Sequence, residues 1–116
     1  FDSKQIYKIY DKLRIFKKNK MTFEEILSSG NYHLIDVRQP EELVMEGKVE
    51  GAINIPLATV PLKIDEIKEM KGPKIIFCRS GGRSGQACQF LAQNGFDDIY
   101  NGGGFMQVQM ALEQVK

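Results

Sequence analysis

Cysteine is scarce in this chain of 116 residues, and the two that occur, ten positions apart, are too few for a disulfide framework. No apolar run approaches the roughly 20 residues that a membrane-spanning helix requires. Neither sign of charge prevails, because 16 basic and 15 acidic residues leave a net charge of +1. No global field therefore draws the chain to nucleic acid. Hydrophobic residues (42%) and charged residues (27%) occur at ordinary globular levels, which excludes collagen-like and disordered classes.

The length fits one domain, preceded by a segment of different charge. Residues 1–20 hold seven basic and two acidic side chains, with apolar residues at helical spacing (Ile6, Tyr10, Leu13 and Phe16). We predict a basic amphipathic N-terminal helical extension over 1–20, laid against a more acidic domain over 21–116. Membrane or nucleic-acid contact is the alternative role for the extension. The first residue, Phe1, is not Met, so both a cytoplasmic and an exported protein stay open, with the cytoplasm favoured.

From residue 21 onward, strand and helix patterns alternate. Thr22 and Glu25 form a capping box that opens a short helix ending at Gly30. Apolar runs predict strands, and helical spacing or capping signals predict helices between them. The predicted strands are 32–37, 52–55, 74–77 and 98–100. Of the later helices, one begins at Pro40, one spans 62–70, one contains Ala87, Phe90 and Leu91 and stops at Gly95, and the last spans 105–115. This order is typical of an α/β fold in which helices cover both faces of a parallel sheet.

The segment around Cys78 carries the clearest chemical signal. It joins a buried strand to a helix, so Cys78 lies at the carboxyl edge of the sheet, where ligands of α/β proteins bind. The adjacent glycines Gly81 and Gly82 allow a tight loop whose N–H groups converge. The helix N-terminus, Arg79 and Arg83 add positive charge, so we predict a lowered pKa for Cys78 and a competent nucleophile.

Other candidate centres receive less support. Cys88 follows Ser84 by one helical turn and is predicted to be a core residue, with a resolving thiol as the alternative. His33 begins its strand and is expected far from Cys78, which argues against a Cys–His dyad. No serine-hydrolase elbow occurs, and no Cys or His spacing indicates a metal site. The Gly102–Gly104 run is interpreted as a tight turn.

Loop length separates two kinds of cysteine chemistry. Cysteine-dependent phosphatases place five residues between the cysteine and the arginine, whereas four separate Cys78 from Arg83 here. A shorter ring of amides suits one added sulfur atom better than a phosphoryl group.

Three blocks of sequence together resemble the single-domain rhodanese (sulfurtransferase) family. They are residues 36–43 (DVRQPEEL), residues 47–56 (GKVEGAINIP) and the loop 77–84 (FCRSGGRS), the last followed by Gly95-Phe96 and the glycine run. Lys48 stands where the family usually has histidine, and Val108 or a neighbour where it often has tryptophan. The resemblance covers about residues 21–115 and implies a rhodanese-like fold with a central parallel sheet of about five strands.

The resemblance also implies an activity. Cys78 would attack a small anionic donor such as thiosulfate and carry the sulfur as a persulfide to cyanide, a thiol or a protein acceptor. No metal or organic cofactor would be needed. The implied substrate-binding residues are Arg79, Ser80, Gly81, Gly82, Arg83 and Ser84. Asp36 and Arg38 are the implied supporting residues. Asp36 would orient Arg83 or the loop, or, as we favour, it would belong to a structural pair with Glu42 or cap the next helix.

Two alternatives stay open at this point. One is a cysteine-dependent phosphatase or arsenate reductase, which would share the nucleophile. The other is a rhodanese-like binding module without turnover, which would recruit a partner through the loop or through residues 1–20.

Overall fold

A computed structural model describes residues 21–116, and the predicted helix over residues 1–20 lies outside the described residues. Within the described part of the chain, four parallel strands form one sheet in the order β2-β1-β3-β4. The strands are β1 (His33–Asp36), β2 (Ile53–Asn54), β3 (Lys74–Cys78) and β4 (Ile99–Gly104). The parallel α/β architecture predicted from the alternating pattern is confirmed.

Five α-helices and one 3₁₀ helix connect and follow these strands. They are α1 (Phe23–Ser29), α2 (Pro40–Glu46), the 3₁₀ helix (Leu57–Lys63), α3 (Ile64–Glu69), α4 (Gly82–Gln93) and α5 (Phe105–Gln114). The predicted capping box of α1 is present, because the Thr22 hydroxyl accepts from the Glu25 N–H while the Glu25 carboxylate accepts from the Thr22 N–H. Gly30 ends α1 in the left-handed conformation.

Each face of the sheet has its own hydrophobic core. On one face, side chains such as Ile35, Ile76 and Cys78 pack with Leu91 of α4 and Ile67 of α3. On the other face, alternate strand residues pack against α1 and α5; the buried members are Ile26, Leu27, Leu34, Val49, Ile75, Phe77 and Val108. Because successive strand residues point to opposite faces, a continuous apolar run serves both cores.

Three details differ from the sequence prediction. The described residues form four strands, whereas about five were expected; the four are the segments whose apolar pattern predicted strands. The helix predicted over 62–70 is divided, because the segment before Ile64 winds as a 3₁₀ helix that contains Pro61. The Gly102–Gly104 run is the end of β4, where a β-bulge shifts the register with β3, and is not a separate turn.

Candidate active site

Cys78 ends β3, and its side chain is 1% exposed. Its sulfur accepts a hydrogen bond from the Gly81 N–H at 3.0 Å and from the Ser84 N–H at 3.4 Å. The Ser84 hydroxyl lies 3.5 Å from the same sulfur. The loop therefore curls around Sγ, with its polar hydrogens directed at one atom, as the predicted nest of main-chain amides requires.

This arrangement changes the acidity of the thiol. Burial by itself would raise the pKa of Cys78, but hydrogen bonds from the Ser84 hydroxyl and from the N–H groups of Ser84, Gly81 and Ser80 outweigh burial and lower the pKa from 9.0 to about 7. The direction agrees with the sequence prediction, although hydrogen bonds, rather than the two loop arginines, are the leading causes that lower it. A substantial fraction of Cys78 is a thiolate at neutral pH.

Arg83 does not contact the sulfur through a hydrogen bond. Its guanidinium donates to both carboxylate oxygens of Glu42 on α2, at 2.7 and 2.9 Å. This bidentate pair is the main cause that raises the pKa of Arg83, and the nearby charge of Cys78 acts in the same direction. The pair ties the first turn of α4 to α2, so Arg83 acts on the loop both as a structural anchor and as a nearby positive charge.

Arg79 is the more accessible of the two loop arginines. Its side chain is 65% exposed, and its nearest acidic partner is Glu46, at a distance of 3.5 Å. A pair this exposed holds the guanidinium only weakly. Arg79 can therefore turn toward an incoming anion at the loop.

Asp36 and Arg38 form a buried ion pair below the loop. The Arg38 guanidinium donates to both carboxylate oxygens, with a shortest distance of 2.7 Å, and both side chains are nearly inaccessible. Arg38 also donates to the Gly47 carbonyl and lies over the Phe105 ring. The expectation that Asp36 orients Arg83 is wrong, because Asp36 binds Arg38. The favoured structural pair is present with a different partner, because Glu42 binds Arg83 instead.

The two loop glycines have different conformations. Gly81 has φ +108°, a left-handed conformation that side chains rarely adopt, and its N–H is the closest donor to the sulfur. Gly82 is the first residue of α4, it is not among the positive-φ glycines, and a Cβ there would meet nothing within 4 Å. The requirement for glycine therefore falls on Gly81.

The end of β4 supports the loop from the side. The Ser84 hydroxyl donates to Asn101 Oδ1 at 2.7 Å, and Asn101 Nδ2 donates to the Gly81 carbonyl at 3.3 Å. A Cβ on Gly104 would lie 2.6 Å from the Arg79 carbonyl oxygen. The glycines of β4 thus permit the close approach of two main-chain segments.

The remaining sequence candidates lie away from the sulfur or in the core. His33 pairs with Lys74 at the beginning of β3, the opposite end from Cys78, and its Nε2 contacts the Lys71 carbonyl at 2.9 Å. Cys88 is partly buried and packs against the core that contains Cys78. Among residues 21–116, no group of three or more His, Cys, Asp or Glu side chains is placed to hold a metal ion. In the same part of the chain, every helix is too short or too polar to cross a membrane.

Sequence patterns did not single out Asn101 or Glu46. Both contact the loop from other elements, Asn101 from β4 and Glu46 from the end of α2. The sequence could have indicated Asn101 only through its position. It lies near the carboxyl end of a predicted parallel strand, and polar side chains from neighbouring strands meet at that edge of a sheet.

The comparisons with known proteins agree with this fold. A family model described as a rhodanese-like domain matches residues 20–111. A sulfurtransferase of Allochromatium vinosum is 37% identical over 68 residues, which cover 59% of this chain and 62% of that protein. The thiosulfate sulfurtransferase PspE of Escherichia coli is 35% identical over 100 residues, which cover 83% of this chain and 95% of PspE.

Solved structures of related proteins also match the fold of this chain. A rhodanese with anions from E. coli matches with a TM-score of 0.56 and 37% identity, over 66% of this chain and 89% of the other. The human single-domain sulfurtransferase TSTD1 matches with a TM-score of 0.63 over 80% of this chain and 97% of the other. Its identity of 23% makes it evidence for the fold alone.

Proposed function

Since the chain belongs to the rhodanese family and is a rhodanese-like transferase, we propose that it moves sulfane sulfur from an anionic donor such as thiosulfate to a thiophilic acceptor, through a persulfide on Cys78. The observation that carries the proposal is the sulfur of Cys78 held by two main-chain N–H groups beside a hydroxyl, with a pKa of about 7. Such a sulfur is oriented, and the large fraction of it that is ionised at neutral pH is nucleophilic.

In the first half of the cycle, the thiolate of Cys78 attacks the outer sulfur of thiosulfate. The new bond joins Sγ to that sulfur, the S–S bond of thiosulfate breaks, and sulfite leaves with the electron pair. In the second half, cyanide or an acceptor thiolate attacks the terminal sulfur, and the Cys78 thiolate leaves. Both steps balance without a metal or an organic cofactor.

The loop offers groups for each stage. The first N–H groups of a helix have no carbonyl partner within the helix, so those of Gly82 and Arg83 are available beside the Ser84 N–H that already meets the sulfur. We expect them to hold the negative terminal sulfur of the persulfide, helped by the positive end of the α4 dipole. The exposed Arg79 attracts the anionic donor.

The proposal is tested by sulfur loading followed by intact-mass measurement. Incubation with thiosulfate should add the mass of one sulfur atom, and later addition of cyanide should remove it and release thiocyanate. Cys78→Ser should gain no mass, whereas Cys88→Ser, the matched control, should load like the parent protein.

The same preparation separates the alternatives. Hydrolysis of an aryl phosphate that depends on Cys78, without sulfur loading, would assign the site to a phosphatase. A folded protein that neither loads sulfur nor hydrolyses phosphate would be a binding module, and the proposed transfer would be refuted.

A further inference from the structure

Ser84 has one hydroxyl proton and three acceptors within reach. Its Oγ lies 2.7 Å from Asn101 Oδ1, 3.1 Å from the Gly81 carbonyl oxygen and 3.5 Å from Cys78 Sγ. The contact with Asn101 has the ordinary length of a full O–H···O hydrogen bond. Asn101 therefore competes with the sulfur for the Ser84 proton, and it does so at the shorter distance.

The orientation of the Asn101 amide is fixed by main-chain groups. Oδ1 also accepts from the Gly103 N–H at 3.0 Å, and Nδ2 donates to the Gly81 carbonyl at 3.3 Å. Since a main-chain N–H can only donate and a carbonyl can only accept, the amide oxygen must face Ser84 and Gly103. Asn101 is thus held as an acceptor for the serine.

We propose that Asn101 is a positioning residue that draws the hydroxyl proton of Ser84 toward itself, so that Ser84 donates to the charged sulfur of Cys78 more weakly than an unrestrained hydroxyl would. The inference deepens the proposed function, because it names a residue that sets the state of the attacking atom. Asn101 touches neither the sulfur nor a substrate, and it acts only through Ser84.

The chemical advantage of this restraint lies in the balance between ionisation and reactivity. A thiolate becomes a weaker nucleophile as its pKa falls, and the best attacking thiol has a pKa near the ambient pH. If the Ser84 hydroxyl donated freely to the sulfur, the two N–H groups and the hydroxyl together would stabilise the thiolate further. Asn101 draws the hydroxyl away and keeps the sulfur reactive.

The test is a thiolate titration by ultraviolet absorbance, with Cys78→Ser subtracted so that the other cysteine does not contribute. Asn101→Ala should lower the ionisation midpoint of Cys78 by about half to one pH unit, because the freed hydroxyl then donates to a charged acceptor. Ser84→Ala should raise the midpoint. In the Ser84→Ala background, Asn101→Ala should change nothing, because there is no hydroxyl left to restrain.

Two further variants keep the test decisive. Asn94→Ala, which removes an exposed asparagine bonded to the Phe90 carbonyl at the end of α4, should leave the midpoint unchanged. Asn101→Asp gives Ser84 a stronger, charged acceptor, so it should raise the midpoint more when Ser84 is present than in the Ser84→Ala background, where only the added charge acts. It also provides the second measurement if Asn101→Ala fails to fold.

A purely structural role for Asn101 makes the opposite prediction. Loosening the loop would move the Gly81 and Ser84 donors away from the sulfur and raise the midpoint toward 9. An upward or absent shift in a folded Asn101→Ala, or a shift that persists without Ser84, would overturn the proposal. For Asn101→Asp, an upward shift of the same size with and without Ser84 would do so. None of these titrations uses a sulfur donor, so a failure of sulfur loading would refute the proposed function and leave this inference standing.

Discussion

Arg83 lies in the loop of the nucleophilic cysteine, yet its guanidinium faces Glu42 of α2, with two N–O distances of 2.7 and 2.9 Å. The pair joins the helix that follows β1 to the helix that follows β3. It therefore fastens the loop to the rest of the domain at the carboxyl edge of the sheet. Arg83, which the sequence analysis assigned to substrate binding, therefore also has a structural role through its pair with Glu42.

The Glu42–Arg83 pair predicts a pH-dependent contribution to stability. Hydrogen bonds from Arg83 and from the Gln39 N–H lower the pKa of Glu42 from 4.5 to about 2. A carboxyl group whose pKa falls on folding stabilises the protein fully above its unfolded pKa, and this stabilisation is lost as the pH falls through the folded pKa. Glu42→Gln should reduce the free energy of unfolding by about 1 kcal/mol at pH 7, a modest value because the pair is partly exposed.

Urea denaturation at several pH values checks this prediction. The difference between the parent protein and Glu42→Gln should shrink between about pH 4.5 and pH 2, the two pKa values of Glu42. Glu41→Gln removes the exposed neighbouring carboxylate and is the matched control. A difference that stayed constant across this range would show that the pair contributes nothing through charge.

A second prediction separates the roles of the two loop arginines. Arg79 is exposed and only loosely paired, so Arg79→Ala should raise the KM for thiosulfate about fivefold, the effect of one exposed charge contact, with little loss of stability. Arg83→Ala should reduce both stability and turnover, because it also releases Glu42. Steady-state thiocyanate formation and thermal unfolding measure the two effects. Arg79→Lys should restore most of the KM, and an unchanged KM in Arg79→Ala would contradict a role in donor attraction.

Sequence patterns predicted most of the helices and strands because each pattern depends on residues that are close together in the chain. The capping box at Thr22 and Glu25 and the apolar run that became β1 each depend on residues that are near one another in sequence. The β-bulge in β4 could not be predicted in this way, since it depends on how Gly103 meets Phe77 in another strand.

In the candidate site too, contacts between residues near in sequence were predicted, and contacts between distant residues were not. Cys78 and Gly81 are separated by a short loop, so the sequence sufficed to predict convergent amides and a lowered pKa. The partners of the loop come from distant segments: Glu42 and Asn101 precede and follow it by many residues. No periodicity or capping rule links them to the loop, and the strand order alone places Asn101 only near this edge of the sheet, so the folded arrangement is needed to show the contacts.

A third prediction concerns the pH dependence of reactivity. Because the pKa of Cys78 is about 7, the rate of its alkylation by iodoacetamide should rise with pH and reach half its maximum near pH 7. A thiol with the ordinary pKa of 9.0 would reach half-maximum about 2 pH units higher. Peptide mass spectrometry follows Cys78 separately from Cys88 in one reaction. A midpoint for Cys78 near pH 9 would contradict the stabilisation of its thiolate by the loop.

The paired glycines of the loop provide the sharpest test of its geometry. Gly81→Ala forces an alanine into φ +108°, and this strain should reduce the free energy of unfolding by about 1–2 kcal/mol. If the main chain relaxes instead, the N–H that lies 3.0 Å from the sulfur turns away, and the pKa of Cys78 rises. The first response lowers stability alone, whereas the second also slows sulfur transfer at neutral pH.

Gly82→Ala is the matched control for this substitution. Gly82 begins α4 without a positive φ, and a Cβ there would meet open space. Alanine should therefore leave activity unchanged and stabilise the protein slightly, by about 0.4–1 kcal/mol, because it restricts the unfolded chain. Chemical denaturation and thiosulfate turnover, measured on both variants, check the contrast. Equal losses from the two substitutions would mean that the loop needs small residues for space, and that the left-handed conformation of Gly81 does not position the donor.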